Sequence, residues 1–429
     1  LFRAYNNGKP SVARGRRSRW PLCLLLIALG TGHESRAHLP EYFGRKYVQV
    51  IDALTPPAAA CESADRDARK TADALKDRLD DAVLDAGAYS PSLADPIGEL
   101  GKLYSTLCNH PAALKANRDA LQIVRVNEGL LSPAQIPYLR ALADDYQAIG
   151  DFASAQQSLR SVFRVHGMGR GKLNDAALRD SLAYFARARA IFIDPRSRGE
   201  LSLFFEAFND NEDMLEAQLE RDDLAYATRE ALSVSHLRNL YLLLGTDFAV
   251  TSSLSADAAS PAADFLQRSQ MLTYGKGRVL LEELIEEAQN EPPLTRARLY
   301  LRLGNWQQWN AKWGQACDSY ALAWEFATGK GSEALRKQLA RPALLPEDTG
   351  LWASLLNPDI AVKASIVAGF RVSARGDISR VDAVIEDEGS SGLAGRVARW
   401  LRDSHARPGI ADGACAAGEL RGQRLRLLD

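Results

Sequence analysis

The sequence lacks the motifs that usually announce an enzyme. It has no H-E-x-x-H metal pair, no G-x-S-x-G nucleophile turn and no Walker phosphate loop. Its six histidines (His33, His38, His110, His166, His236, His405) are scattered, with none at ligand spacing to another. Five cysteines stand far apart without a C-x-x-C pair, which argues against a zinc or iron–sulfur centre. Charge of either sign is not in excess: 53 basic and 54 acidic residues leave a formal net charge of −1. Neither nucleic acid nor an anionic membrane is therefore expected as the main partner. The longest apolar run of the N-terminal region, Pro21 to Gly30, is well short of the ~20 residues a spanning helix needs. These absences predict a non-enzymatic protein with no catalytic residues, no cofactor and no metal.

What is present begins with that short run. Arg14, Arg16, Arg17 and Arg19 precede it, and Ser35-Arg36-Ala37 follows. This is the layout of a secretory signal over residues 1–37, with an uncleaved membrane anchor as the alternative. A signal predicts a disulfide-permissive location, and Cys61, Cys108, Cys317 and Cys415 are then free to form zero, one or two bridges. Glu41–Leu54 and Asp65–Leu84 read as helices, separated by Pro56-Pro57.

The next stretch carries one pattern twice, 42 residues apart. Ser90-Pro91 recurs as Ser132-Pro133, Leu100 as Leu142, Tyr104 as Tyr146, Ala113 as Ala155, and Leu121 as Phe163. Each copy predicts two amphipathic helices joined by a tight turn, at Asn109-His110-Pro111 and at Gly150-Asp151-Phe152. One such pair cannot bury its own apolar face, so neighbours must stack on it. The order Leu142, Tyr146, Gly150-Asp151-Phe152, Ala155, Leu159 resembles a tetratricopeptide (TPR) repeat with a long inter-repeat loop. That resemblance implies an α-solenoid of antiparallel helix pairs with a concave binding surface, expected here over residues 41–343.

Beyond the pair, Asn174–Ile193, Glu200–Asn209 and Met214–Leu244 read as helices, the last with a break near Ser233-Val234-Ser235. Phe265 to Ile285 predicts a hairpin turned at Gly275-Lys276-Gly277. A further TPR-like pair uses Tyr300 and Gly304 in one helix and Ala316, Tyr320 and Ala323 in the next, with Trp306–Trp313 as an insertion lengthening the turn. Trp306, Trp309 and Trp313 have three- and four-residue spacing, so one helix face could carry all three. Core packing is the ordinary use of such a set; a peptide-docking surface is the sharper one. Gly167-Met168-Gly169-Arg170-Gly171-Lys172 has no strand before it and reads as a loop rather than a phosphate cradle. Glu282-Glu283 and Glu286-Glu287 read as a solvated acidic face.

Residues 344–359 hold Pro346 and Pro358 and read as a linker. After Ile360 the period changes from helix to strand. Val362–Val372 and Ile378–Ile385 flank Arg375-Gly376-Asp377 as a β-hairpin, Gly392–His405 is a helix, and Glu419–Leu428 closes as a third strand. The order ββαβ over residues 360–429, with Phe370–Val384 as hairpin, Trp400 near the helix end and Pro408 after it, resembles the C-terminal domain of TonB-like energy transducers. Trp400 and Pro408 stand further apart than in that family, and no Pro-rich spacer precedes the domain. The fold class expected is mainly α: a TPR-like α-solenoid followed by a small α+β domain. The resemblances imply a Gram-negative host, a periplasmic location and a protein or peptide partner, an outer-membrane protein among the candidates. The partner strand would add to an exposed sheet edge. Candidate contacts are Trp306, Trp309, Trp313, Leu420, Arg424 and Arg426, with the final strand as the edge. The alternative is a membrane-anchored energy transducer, and a membrane is a partner only if residues 1–37 stay attached.

Overall fold

The computed structural model describes residues 47–49, 66–193, 201–244, 261–347, 362–385 and 391–428. The expected signal at 1–37 lies outside them, as do Cys61 and most of the expected linker. Residues 38–429 form one compact unit. It is mainly helical, with a small antiparallel sheet near the C-terminus. No helix among the described residues is long and apolar enough to cross a membrane.

The chain enters with a surprise. Tyr47–Gln49, expected within a helix, is a strand (β1) whose partners lie in the C-terminal sheet. Long-range pairing with a waiting strand outweighs the weak local preference of three residues. The helices then run α1 (Arg66–Ala86), α2 (Ala94–Thr106), α3 (His110–Glu128), α4 (Ile136–Ala148) and α5 (Phe152–Val165). Pairs α2–α3 and α4–α5 are the two copies of the repeat. Each of their turns closes by a six-to-one backbone bond, Asn109 N to the Tyr104 carbonyl at 2.8 Å and Asp151 N to the Tyr146 carbonyl at 2.9 Å. Between these residues one position must be left-handed: Cys108 at φ 56° and Gly150 at φ 79°. Asn109 and Asp151 then cap the following helix by accepting from the amides of Ala112 and Ser154. Ala113 and Ala155, fully buried, let the helices close on each other.

The array continues through α6 (Asp175–Ile193), α7 (Leu201–Leu219), α8 (Tyr226–Leu244) and α9 (Pro261–Glu287). Two expectations are corrected here. The segment from Met214 is not one helix broken at Ser233-Val234-Ser235. Met214 lies inside α7, the break falls between Leu219 and Tyr226, and α8 is continuous, with Ser235 donating to Asn211 Oδ1 at 2.9 Å inside the core. Gly275-Lys276-Gly277 is not a turn but helix interior. A Cβ on Gly277 would lie 2.4 Å from Trp306 Cε2, so this glycine serves close packing rather than chain reversal.

The third pair is α10 (Pro293–Trp309) and α11 (Trp313–Phe326), followed by α12 (Ser332–Leu339). Its turn is not lengthened by an insertion. Lys312 N bonds the Gln307 carbonyl at 2.9 Å and Ala311 sits at φ 56°, the same turn as in the first two pairs. Trp306 to Trp309 simply completes α10.

The sheet is built from β3 (Val362–Val372), β4 (Ile378–Ile385) and β8 (Gly418–Leu428), in the order β1-β8-β3-β4. One helix, α13 (Ser391–Asp403), covers one face. Its Leu393, Val397 and Leu401 pack on Ile366, Ala368, Phe370 and Val372. Three small pieces join this module to the last helix pair. Leu344 in β2 (Ala343–Leu344) pairs with β5 (Ala406–Arg407) and is fully buried. Hairpin β6–β7 (Gly409–Ala411, Ala414–Ala416) is bridged to α11 by a Cys317–Cys415 disulfide. Gln308 on α10 donates to the Arg375 carbonyl at 2.6 Å. Residues 344–347, the head of the expected linker, are thus held in place.

Candidate interaction surfaces

The tryptophan set divides. Trp306 and Trp309 are fully buried in a large core shared with Phe204, Phe208 and Leu240, edge-on to Tyr241 at 4.8 and 5.7 Å. Trp306 Nε1 donates to the Tyr274 carbonyl at 3.1 Å. Trp313 starts the next helix and is 42% exposed. The three therefore share no face, because the turn at Asn310–Lys312 intervenes. A docking surface made of all three is excluded by this geometry.

The final strand also differs from expectation. It is not a free edge along its length. β3 flanks it on one side, and on the other β1 pairs Tyr47, Val48 and Gln49 with Leu427, Arg426 and Leu425. Leu420 lies opposite Phe370 and packs partly into the sheet core, whereas Arg424 is exposed opposite Val367. The other outer strand of the sheet is β4. Its pairing with β3 shifts register between Gly369 and Arg371 of β3, and Arg380 in β4 is left-handed at φ 49°. Such an irregularity blunts an edge against casual pairing.

A cleft of about 490 Å³ opens between α6 and α8. Small residues (Ala183, Ala186, Ala227, Ala231) and Arg189 are among those that line it. The Arg189 guanidinium is buried, donating to Asn239 Oδ1 at 2.7 Å and to the carbonyl and hydroxyl of Ser235. Asn211 accepts from both Ser235 and Asn239, so α6, α7 and α8 are locked by one polar network. Arg302 from α10 also lines the cleft, paired with Glu230 at 2.6 Å.

One triad-like cluster invites a catalytic reading and does not sustain it. Ser105 Oγ and His110 Nδ1 both contact Asp145 Oδ1, the latter at 2.9 Å. The hydroxyl donates to the carboxylate rather than to the imidazole, so the order of a Ser-His-Asp relay, with the imidazole between hydroxyl and carboxylate, is not formed. The cluster instead ties the first helix pair to the second. His166 and Arg140 converge on Asp180, and Arg160 on Asp210 and Glu206, in the same manner further along the array. The Gly167–Lys172 loop presents carbonyls rather than amides to its neighbour: Gly169 and Gly171 accept from Gln218. In the acidic run, Glu282 pairs with Arg278 and Glu287 with Arg229. Burial raises Glu287 above the usual carboxylate range, with Arg229 opposing the rise.

Two histidines are buried neutral. Burial lowers His236 to about 4, with Glu212 opposing and Lys276 and Arg189 assisting the shift. Burial alone lowers His405 to about 4, against Trp309 at 5.2 Å. No group of three potential metal-binding side chains occurs among the described residues. Neither a protein-family model nor a curated protein matches the sequence.

Proposed function

We propose that the protein is a non-enzymatic interaction scaffold of an oxidising compartment such as the periplasm. A TPR-like array of helix pairs holds a TonB-like ββαβ module, and the module takes a protein partner by strand addition. The observation that carries this reading is the turn shared by the three pairs. The same backbone bond, a left-handed residue at the same place (Cys108, Gly150, Ala311) and a buried alanine in the following helix (Ala113, Ala155, Ala316) recur in each. A unit repeated in this way is how solenoids generate extended binding surfaces. The sheet adds a second kind of surface, with main-chain groups at its margin rather than side chains. Disulfide bonding at Cys108 and between Cys317 and Cys415 fits an extracytoplasmic location.

Affinity purification from the native host, followed by reconstitution with the purified partner, tests the proposal. Saturable binding, with crosslinks mapped onto the helix pairs or the sheet, is expected. A substrate turned over by the pure protein, with turnover lost on changing one polar cleft residue while the fold stays intact, would overturn it.

A further inference from the structure

Exposed apolar side chains concentrate at one end of the first helix pairs. Ten large ones stand exposed among the described residues, and five of them (Leu84, Tyr89, Val126, Leu130 and Leu131) come from the ends of α1 and α3 and the turns that follow. The two turns touch: Asn127 Nδ2, at the end of α3, donates to the Tyr89 carbonyl at 2.9 Å. They are also the same turn. Tyr89 and Leu131 stand 42 residues apart, each just before the Ser-Pro that opens a short 3-10 helix. A large apolar side chain at this place is therefore part of the repeated unit, and stacking the units sets the two tips side by side. Contiguous apolar patches of this kind mark interaction sites. We propose that the two turns form a tip that seats in the headgroup layer of a neutral, zwitterionic lipid surface. The inference goes beyond the scaffold reading and does not depend on it.

Three observations favour a lipid surface over a protein partner. The first is projection. The five side chains are between 56% and 84% exposed, as side chains on a projecting turn are, whereas residues that line a docking groove are shielded by its walls. The second is main-chain satisfaction. Ser90 N and Leu93 N bond the carbonyls of Gly87 and Ser90 at 3.1 and 3.0 Å, and Gln135 N bonds the Ser132 carbonyl at 3.1 Å. Gln135 Nε2 donates to the Gly129 carbonyl at 3.1 Å, and Ser132 Oγ, itself donating to Glu128, accepts from the Ala134 amide. The turns can thus leave water with few polar groups to desolvate, and they offer an extended peptide little main chain to pair with. The third is charge. No charged residue occurs from Ala86 to Ala94 or from Gly129 to Leu139. The flanking charges at the helix ends, Asp85, Arg125 and Glu128, are of both signs. They suit zwitterionic headgroups and give no pull toward anionic ones. Tyr89 adds the amphipathic ring favoured at such an interface.

The test uses the full chain and vesicles of brominated phosphatidylcholine, which quench tryptophan at the membrane interface. Tyr89→Trp is expected to show quenching beyond that of wild type, reporting contact at the tip itself whatever residues 1–37 contribute. Adding Leu130→Ser and Leu131→Ser to that protein is expected to raise the lipid concentration for half-maximal quenching at least about tenfold. Leu272→Ser, at a similarly exposed leucine on α9, is expected to leave it unchanged. Raising the salt concentration is expected to change little, because the contact is apolar. All four positions are exposed, and matching circular dichroism spectra establish that the variants fold. Absence of added quenching overturns the proposal. So does an unchanged titration in the double serine protein, or quenching that requires anionic lipid and disappears in salt. A host protein that binds the tip and is lost in the double serine protein, while vesicles are ignored, overturns it in favour of a protein contact. A partner crosslinked to the sheet or to the later helix pairs is untouched by these results, so the scaffold reading stands or falls separately.

Discussion

Single residues in this protein show how far context outruns identity. Gly275 and Gly277 look alike in the sequence and both suggest a turn, yet both lie in α9 and only one meets a neighbour. A Cβ at 275 would find open space, whereas at 277 it would strike the buried Trp306 ring. Gly277→Ala is expected to destabilise by about 1–3 kcal/mol, because an immobile indole cannot move aside. Gly275→Ala is expected to stabilise by up to ~1 kcal/mol through helix propensity. Urea midpoints of the two variants check the contrast. The buried histidines give a pH signature. Each has a folded pKa near 4 against an ordinary 6.5, so the unfolded chain takes up the proton first. Their contribution is complete above pH 6.5 and is lost as pH falls toward 4, on the order of 3 kcal/mol each. Unfolding measured at pH 7, 6 and 5 should show that limb, and His405→Phe should make it shallower. None of this was legible beforehand, since burial of a lone histidine or glycine depends on elements far away in the sequence.

At the scale of elements, the repeat was readable where its marker residues survive. The first two pairs keep Tyr and Ala at matching positions, and either a capping Asn-His-Pro or a Gly-Asp-Phe at the turn. The third pair hides the same turn under unhelpful residues: Ala311 stands where Gly150 stands, and Lys312 where Asp151 caps. Its tryptophans therefore suggest an insertion that does not exist. A left-handed alanine is strained relative to glycine, so Ala311→Gly should raise stability by roughly 0.5–1 kcal/mol, after allowing for the greater freedom of glycine in the unfolded chain. Thermal unfolding of the variant checks this. Helix α8 shows another limit. Its residues from Leu232 to Leu244 are buried almost throughout, so the one-sided pattern that marks a surface helix is missing and its serines look like a break. The strands of the hairpin and the final strand were legible because their alternation is local. β1 was not, because three residues carry no period.

At the scale of the molecule, helical array and sheet are fastened to each other more firmly than a linker suggests. Arg407 is fully buried between them, bonded to Glu347 and to the carbonyls of Gln338 and Leu339 at 3.0–3.1 Å. Removing it would strand a carboxylate and two carbonyls. The Cys317–Cys415 bridge spans the same junction. A protease site engineered within residues 348–361 is therefore expected to yield two fragments on a reducing gel and one species on a non-reducing gel. Separation without reductant would mean the bridge does not form. The junction was invisible in the sequence because distant cysteines do not declare their pairing and a buried arginine reads as a surface one. The pairing of β1 with β8 has a mechanical meaning too. The strands are antiparallel, with Tyr47 beside Leu427 and Gln49 beside Leu425. A pull on the chain upstream of Tyr47 and downstream of Leu428 would enter both strands at the same end. Their bonds would open one after another, as a zipper does, instead of sharing the load in shear. Until that zipper parts, the helices between the strands carry no tension; once it has parted, they lie directly in the line of force.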